Sequence, residues 1–273
     1  MTTKSKPKKM NLNKENYHSI EADKQYMSVS QFHSFRQCEA KTMAILNGEY
    51  KEPETNALLV GSYIHAAFEG EEAFAKFIEE HNGAIFKTRG NGKYADFEMA
   101  DKMIETLKND PFAMFALSGE KEQIYTANLW GVDWKIKVDN INHQHKFFSD
   151  LKTTPDLHKR YWSDKYETWV SFVEAWDYVL QMAVYRLVLQ ENLGETYTPY
   201  IVAVTKENPP NKAVLHFDES RFDFEYDYIE TFIERIIKVK TGEIEPNRCE
   251  KCEYCRMTKK LNNTIEIGEL IYA

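Results

Sequence analysis

Two acidic side chains and one amine stand close together near the middle of the chain: Asp139, then Asp150 and Lys152. Their types and spacing suit hydrolysis of a phosphodiester. A pair of carboxylates can hold one or two Mg²⁺ ions, which generate hydroxide and stabilise both the attacking and the leaving oxygen. Mg²⁺ takes oxygen ligands and keeps several waters, one of them a ready nucleophile. A lysine beside the site orients that water and offsets charge on the pentavalent phosphate. Asp150 and Lys152, two residues apart on a strand, leave the same face. Alone, an Asp-x-Lys triplet is common in a chain rich in acids and lysines, and Asp164-Lys165 is another charged pair close by.

Thiols form a second group. Cys249-x-x-Cys252-x-x-Cys255 places three cysteines within seven residues, and Cys38 is the only other cysteine. Disulfides are rare in the cytosol, so the cluster suggests a metal. Zinc sites usually use two separated Cys-x-x-Cys knuckles. Three thiolates in succession plus a remote one fit a [4Fe–4S] cluster better than Zn²⁺. Such a staple would close a loop of more than 200 residues and act structurally. The alternative is a set of free thiols.

The elements that position these groups read as an α–βββ–α–β order. Residues 1–25 are polar and Lys/Asn-rich, a flexible leader. Ser28 or Ser30 caps a helix through Phe32, Phe35 and Cys38 that ends near Gly48. A loop spans 51–57, and a second helix starts near Gly61 and carries Ile64, His65 and Phe68. After an exposed loop over 83–94, a third helix runs from Tyr94 to Lys108, stopped by Asn109-Asp110-Pro111. Residues 122–129, 134–138 and 146–152 alternate as consecutive strands of a mostly antiparallel meander. A long helix is expected over 167–191. Tyr200–Thr205 is an apolar run, a strand buried on both faces, with Ala213–Phe217 beside it. Phe222–Lys240 is a final amphipathic helix.

The chain has 273 residues, 42% apolar and 14% aromatic, enough for one α/β domain over 26–273 with a cysteine-rich segment near 245–260. No apolar run approaches the roughly 18–20 residues of a membrane helix. The N-terminus is basic but no apolar stretch follows, so the protein is expected to stay in the cytosol. Net charge is −8, a weak guide for a nuclease because bound cations reverse the local sign. Local basic surface is what DNA requires, and Lys4–Lys9, Lys159-Arg160 and Arg256–Lys260 are the sources. The first of these runs reads better as solvated, partly disordered charge.

Lys137-Val138-Asp139 followed by Phe148-Ser149-Asp150-Leu151-Lys152-Thr153-Thr154 resembles the PD-(D/E)xK nuclease core, and Asp-Leu-Lys-Thr-Thr is similar to RecE-type phage and prophage exonucleases. Gly61-Ser-Tyr-Ile-His65 resembles the upstream helix whose histidine reaches a metal. Gln181-Met-Ala-Val-Tyr185 resembles the Gln-x-x-x-Tyr motif of RecE-like, AddB-like and CRISPR-adaptation nucleases, and Val202 to Pro210 resembles the RecE-type strand and turn. Four ordered motifs, spread over residues 28 to 260, are far more specific than one. Two departures are Val-Asp in place of Pro-Asp and Asp150 in place of the commoner Glu.

The resemblance implies a restriction-endonuclease-like α/β fold, a central mixed sheet flanked by helices. It implies Mg²⁺ or Mn²⁺ on His65, Asp139, Asp150 and the Leu151 carbonyl, Gln181 at a metal-site water or phosphate, and Tyr185 on DNA. Lys159 and Arg160 are candidates for salt-sensitive backbone contacts. Glu69, one turn beyond His65, is either its partner or solvated, and Glu120 and Glu122 are expected at the surface. The implied activity is 5′→3′ digestion of one strand from a double-stranded DNA end. It leaves a 3′ overhang for a RecT-like single-strand annealing protein, and the nuclease is a ring-shaped homo-oligomer in a phage or prophage host. The cysteine arrangement resembles instead the iron–sulfur staple of AddB-like and CRISPR-adaptation nucleases, the first alternative. A DNA-binding scaffold with a decayed site is the second.

Overall fold

Alternation along the middle of the chain dictates a sheet with two different faces, and the computed structural model, which describes residues 9–90 and 92–268, has that sheet at its centre. Among the described residues, eight helices precede it: α1 (Ile20–Gln25), α2 (Val29–Gln37), α3 (Glu39–Leu46), α4 (Asn56–Glu69), α5 (Glu71–Glu80), α6 (Asn82–Ile85), α7 (Ala95–Lys108) and α8 (Pro111–Ala116). The meander β1 (Glu120–Leu129), β2 (Val132–Asn142), β3 (Phe147–Thr154) follows. Next come a small hairpin, β4 (Tyr161–Ser163) and β5 (Thr168–Val170), and helices α9 (Phe172–Ala175) and α10 (Tyr178–Leu193). The chain then adds β6 (Thr198–Thr205), β7 (Lys212–His216), α11 (Ser220–Lys240) and α12 (Glu253–Met257).

Strand order is β1-β2-β3-β6-β7. β6 lies parallel to β3, reached by the α10 crossover, and the other pairs are antiparallel. The apolar run of β6 divides by period two: Ile201 and Ala203 join the core formed with α2, α10 and α11, while Val202 and Val204 join the core formed with α4, α7 and α8. Helices therefore cover both faces, giving the mixed α/β architecture expected. No helix among the described residues is long and apolar enough to cross a membrane.

Four expectations change. Residues 9–25 are not a loose leader: Tyr17 is buried, and Asp23 on α1 takes the buried Lys135 ammonium at 2.7 Å. Residues 1–8 lie outside the described residues. The first expected helix breaks at Cys38, whose sulfur accepts from Lys41 N and so caps α3 instead of continuing α2. α4 begins at Asn56, capped by the Thr55 hydroxyl, five residues before Gly61. The long helix expected over 167–191 is replaced by β5, α9 and α10, because Asp177 holds left-handed backbone with φ +57° and ends the helical path.

Candidate functional site

The site is set by where the β2–β3 ladder stops. Asn142↔Phe147, Ile141↔Phe148 and Asn140↔Ser149 pair, and Asp139 and Asp150 are next in line. Backbone pairing ends there, and the Leu151 N–H donates instead to Asp139 Oδ2 at 3.1 Å. On the other side of β2, Glu122 adopts φ +55° and the ladder passes from Lys121↔Asn140 to Gln123↔Val138. Asp139 thus sits where the sheet is interrupted on both sides.

Three side chains converge on this gap. His65 Nδ1, from α4, lies 3.2 Å from Asp139 Oδ2. Lys152 Nζ lies 2.6 Å from Asp150 Oδ2 and over the Tyr178 ring at 4.4 Å. Gln181 Nε2 donates to Asp150 Oδ1 at 2.6 Å. Asp150 Oδ2 is buried, and the Lys152 ammonium is its charge partner.

The electrostatics separate the two acids. Burial alone would raise the Asp139 carboxyl, but the charge and hydrogen bond of His65, with Lys152 and the Leu151 N–H, hold it down at about 2. Burial pushes the Asp150 carboxyl up, and Asp139 adds to this while Lys152 opposes it. His65 and Lys152 are both raised: burial works against their charge, and Asp139 and Asp150 respectively outweigh it. Neighbouring carboxyls pushed in opposite directions by their surroundings are the pattern of a functional site. The donor set, two carboxylates and an imidazole beside open space, fits a hard divalent ion.

Two cavities share His65, Lys137 and Asp139. The larger, about 640 Å³, also reaches Asp150, Lys152, Gln181 and Tyr185. The smaller, about 510 Å³, is lined by Glu69 and Glu122 on the opposite side. All catalytic candidates read from the sequence therefore border one continuous cluster, and Leu151 lines the narrow space beside His65 and Asp139. Gln181 is turned to the Asp150 carboxylate, and Tyr185 stacks on Phe148 at 6.4 Å with its ring along the cavity wall. Lys159 and Arg160 are exposed and lie outside the cavity, though Lys159 covers Tyr161, which packs against Trp176 on the cavity rim. Lys9 pairs with Asp133, and Arg256, Lys259 and Lys260 lie near the cysteines.

One acid departs from the surface placement expected. The Glu122 side chain is 11% exposed and pairs with Lys137 at 2.5 Å, facing the site, and its carboxyl is raised by burial. Its position opposite Asp139 was recoverable only once the β1–β2 register was known. Glu69 lines the same cavity and takes Lys14 at 2.7 Å. Glu120 stays outside at 60% exposure. Lys165, beside Asp164, is not a surface charge either: it is buried between Asp177 and Glu225. The four cysteines do meet, Cys38 at the α2–α3 junction and the others around α12.

Against known proteins, a family model described as a PDDEXK-like domain of unknown function (DUF3799) matches residues 28–258. The crystal structure called "Putative exonuclease" from Eubacterium rectale is 34% identical, covers 96% of this chain and 98% of its own, and superposes with a TM-score of 0.90. A second structure, SSO0001, is 13% identical over 75% of this chain and 95% of its own, with a TM-score of 0.27 that supports no conclusion. No curated protein matches.

Proposed function

The chain belongs to the PDDEXK-like family and is a nuclease in kind; from that premise we propose that it is a metal-dependent exodeoxyribonuclease acting on double-stranded DNA ends. The observation that carries the reading is the interrupted hairpin, where Asp139 and Asp150 come next in line after the last backbone pair, with His65 and Lys152 against them at the edge of the cavities. Asp139, Asp150, His65 and the Leu151 carbonyl would hold Mg²⁺ or Mn²⁺, which when bound supplies an activated water and charge stabilisation at the phosphate. The chain's own groups do the rest. Lys152, held over Tyr178 and against Asp150, keeps its proton and donates toward the attacked phosphate. Gln181 fixes the Asp150 carboxylate so that Oδ2 presents toward the site. Tyr185 offers a ring edge to a DNA strand in the larger cavity, and Lys159 and Arg160 grip the backbone beyond its rim.

The finer reading is 5′→3′ digestion that leaves a 3′ overhang for a RecT-like annealing protein, by a ring-shaped oligomer in the cytoplasm of a phage or prophage host. Its support is the run Asp150-Leu-Lys-Thr-Thr154 with Gln181-x-x-x-Tyr185. Linear duplex labelled at either end of one strand, incubated with Mg²⁺, tests it. A 5′ label should be released at once and a 3′-labelled strand should shorten gradually, with closed circles and EDTA-treated reactions intact. Digestion confined to single strands would favour the AddB-like or CRISPR-adaptation reading. Intact duplex, with Asp150→Ala binding DNA as tightly as the wild type, would favour a scaffold.

A further inference from the structure

The cysteine cluster has a size, and the size selects its occupant. The four sulfurs lie within 4.8 Å of one another, with Cys38 Sγ 3.5 Å and Cys249 Sγ 3.9 Å from Cys255 Sγ. None is in a disulfide. Zinc–sulfur bonds of about 2.3 Å in a tetrahedron put the sulfurs about 3.8 Å apart. In a [4Fe–4S] cluster each thiolate binds a different iron and points outward, so the sulfurs stand roughly 6 Å apart. Even a regular tetrahedron with edges of 4.8 Å has its centre only about 2.9 Å from each sulfur, which leaves room for one ion and none for four irons with their sulfides.

The surroundings suit thiolates. Lys41 N donates to Cys38 Sγ at 3.4 Å, Cys252 N to Cys249 Sγ at 3.3 Å and Cys255 N to Cys252 Sγ at 3.4 Å. Four thiolates around one divalent ion leave a net charge of −2, which these N–H groups offset, helped by the Lys41 and Arg248 side chains beside Cys38 and Cys255. The strand of chain entering the cluster is pinned without any metal: Glu39 takes Arg235 at 2.7 and 2.8 Å and Asn247 N at 2.7 Å, and Ala40 N donates to Asn247 O at 3.0 Å. The cage is closed, with Cys38 and Cys255 buried, so it has no open position for substrate.

We propose that Cys38, Cys249, Cys252 and Cys255 hold a single structural zinc ion, not the four-iron cluster their spacing in the sequence suggested. The ion clips the segment around α12 to the α2–α3 junction, across a separation of 217 residues between Cys38 and Cys255. Its place is distinct from the oxygen-rich site in the cleft.

The decisive experiment is metal and acid-labile sulfide analysis of full-length protein purified without oxygen from iron-supplemented cells. About one zinc per chain, no sulfide and no absorbance near 400 nm are expected. A mercurial thiol reagent should release that zinc from the folded protein, while Asp150→Asn should retain it. Cys249→Ala should lose the zinc and melt at a lower temperature. Iron in any stoichiometry, or four thiols that alkylate freely in protein without zinc, would overturn the proposal, and neither result depends on nuclease activity.

Discussion

Two buried groups of acids and lysines lie along the same cleft, and they are built to opposite ends. In one, Lys165 bridges Asp177 Oδ1 at 2.8 Å and Glu225 Oε2, Tyr166 OH donates to Glu225 Oε1, and His33 Nδ1 meets Asp177 Oδ2 at 2.5 Å. Each of its four carboxylate oxygens has a partner. In the other, Asp139, Asp150, His65 and Lys152 also pair, but they border open space on two sides. Composition does not distinguish the two, since each combines two carboxylates, a lysine and a histidine. Access does: a charge network closed off from space holds structure, and one that lines a cavity can take up a cation. The closed network also adjoins the open one, because Asp177 stands at the start of α10, whose Tyr178, Gln181 and Tyr185 line the cavity.

The contrast predicts unequal effects. Asp150→Asn should lower cleavage of linear duplex about 10⁴-fold with the far-ultraviolet dichroism spectrum unchanged, because it removes a charge whose purpose is a cation. Glu225→Ala should instead cost about 3 kcal/mol in urea unfolding, since it strips Lys165 of one of its two carboxylates. An unchanged unfolding midpoint would mean the closed network is not structural. Lys152→Ala should reduce turnover about 100-fold while Mn²⁺ affinity persists, which places the lysine on the phosphate and not among the ligands. Gln181→Ala, which frees Asp150 Oδ1, should cost about tenfold, read as a fall in kcat/KM without loss of stability.

Much of the open site was legible in the chain. Spacing placed Asp150 and Lys152 on one strand face, and ordered motifs brought in His65, Gln181 and Tyr185. The meander and the buried β6 strand also follow from alternation and apolar runs. What escaped reading depends on contacts between distant segments. Glu122 joins the site through the β1–β2 register and a left-handed backbone, neither of which its immediate neighbours reveal. The β4–β5 hairpin has strands of three residues each, too short to show alternation, so β5 merged into an apparent helix and β4 went unread. Lys165 follows an aspartate in sequence, yet its partners come from α10 and α11. The cysteines show the same limit: their order along the chain suggested four irons, and only the folded sulfur–sulfur distances favour one ion.

The most direct test is a Mn²⁺ titration followed by electron paramagnetic resonance on the wild type, Asp150→Asn and Glu225→Gln. Mn²⁺ prefers oxygen and imidazole ligands, so the thiolate cage does not compete for it. Tight Mn²⁺ binding in the wild type and in Glu225→Gln, lost in Asp150→Asn, is the expected result. Equal binding by the wild type and Asp150→Asn would contradict the account, because the Asp150 carboxylate beyond the last β2–β3 pair would then hold no cation.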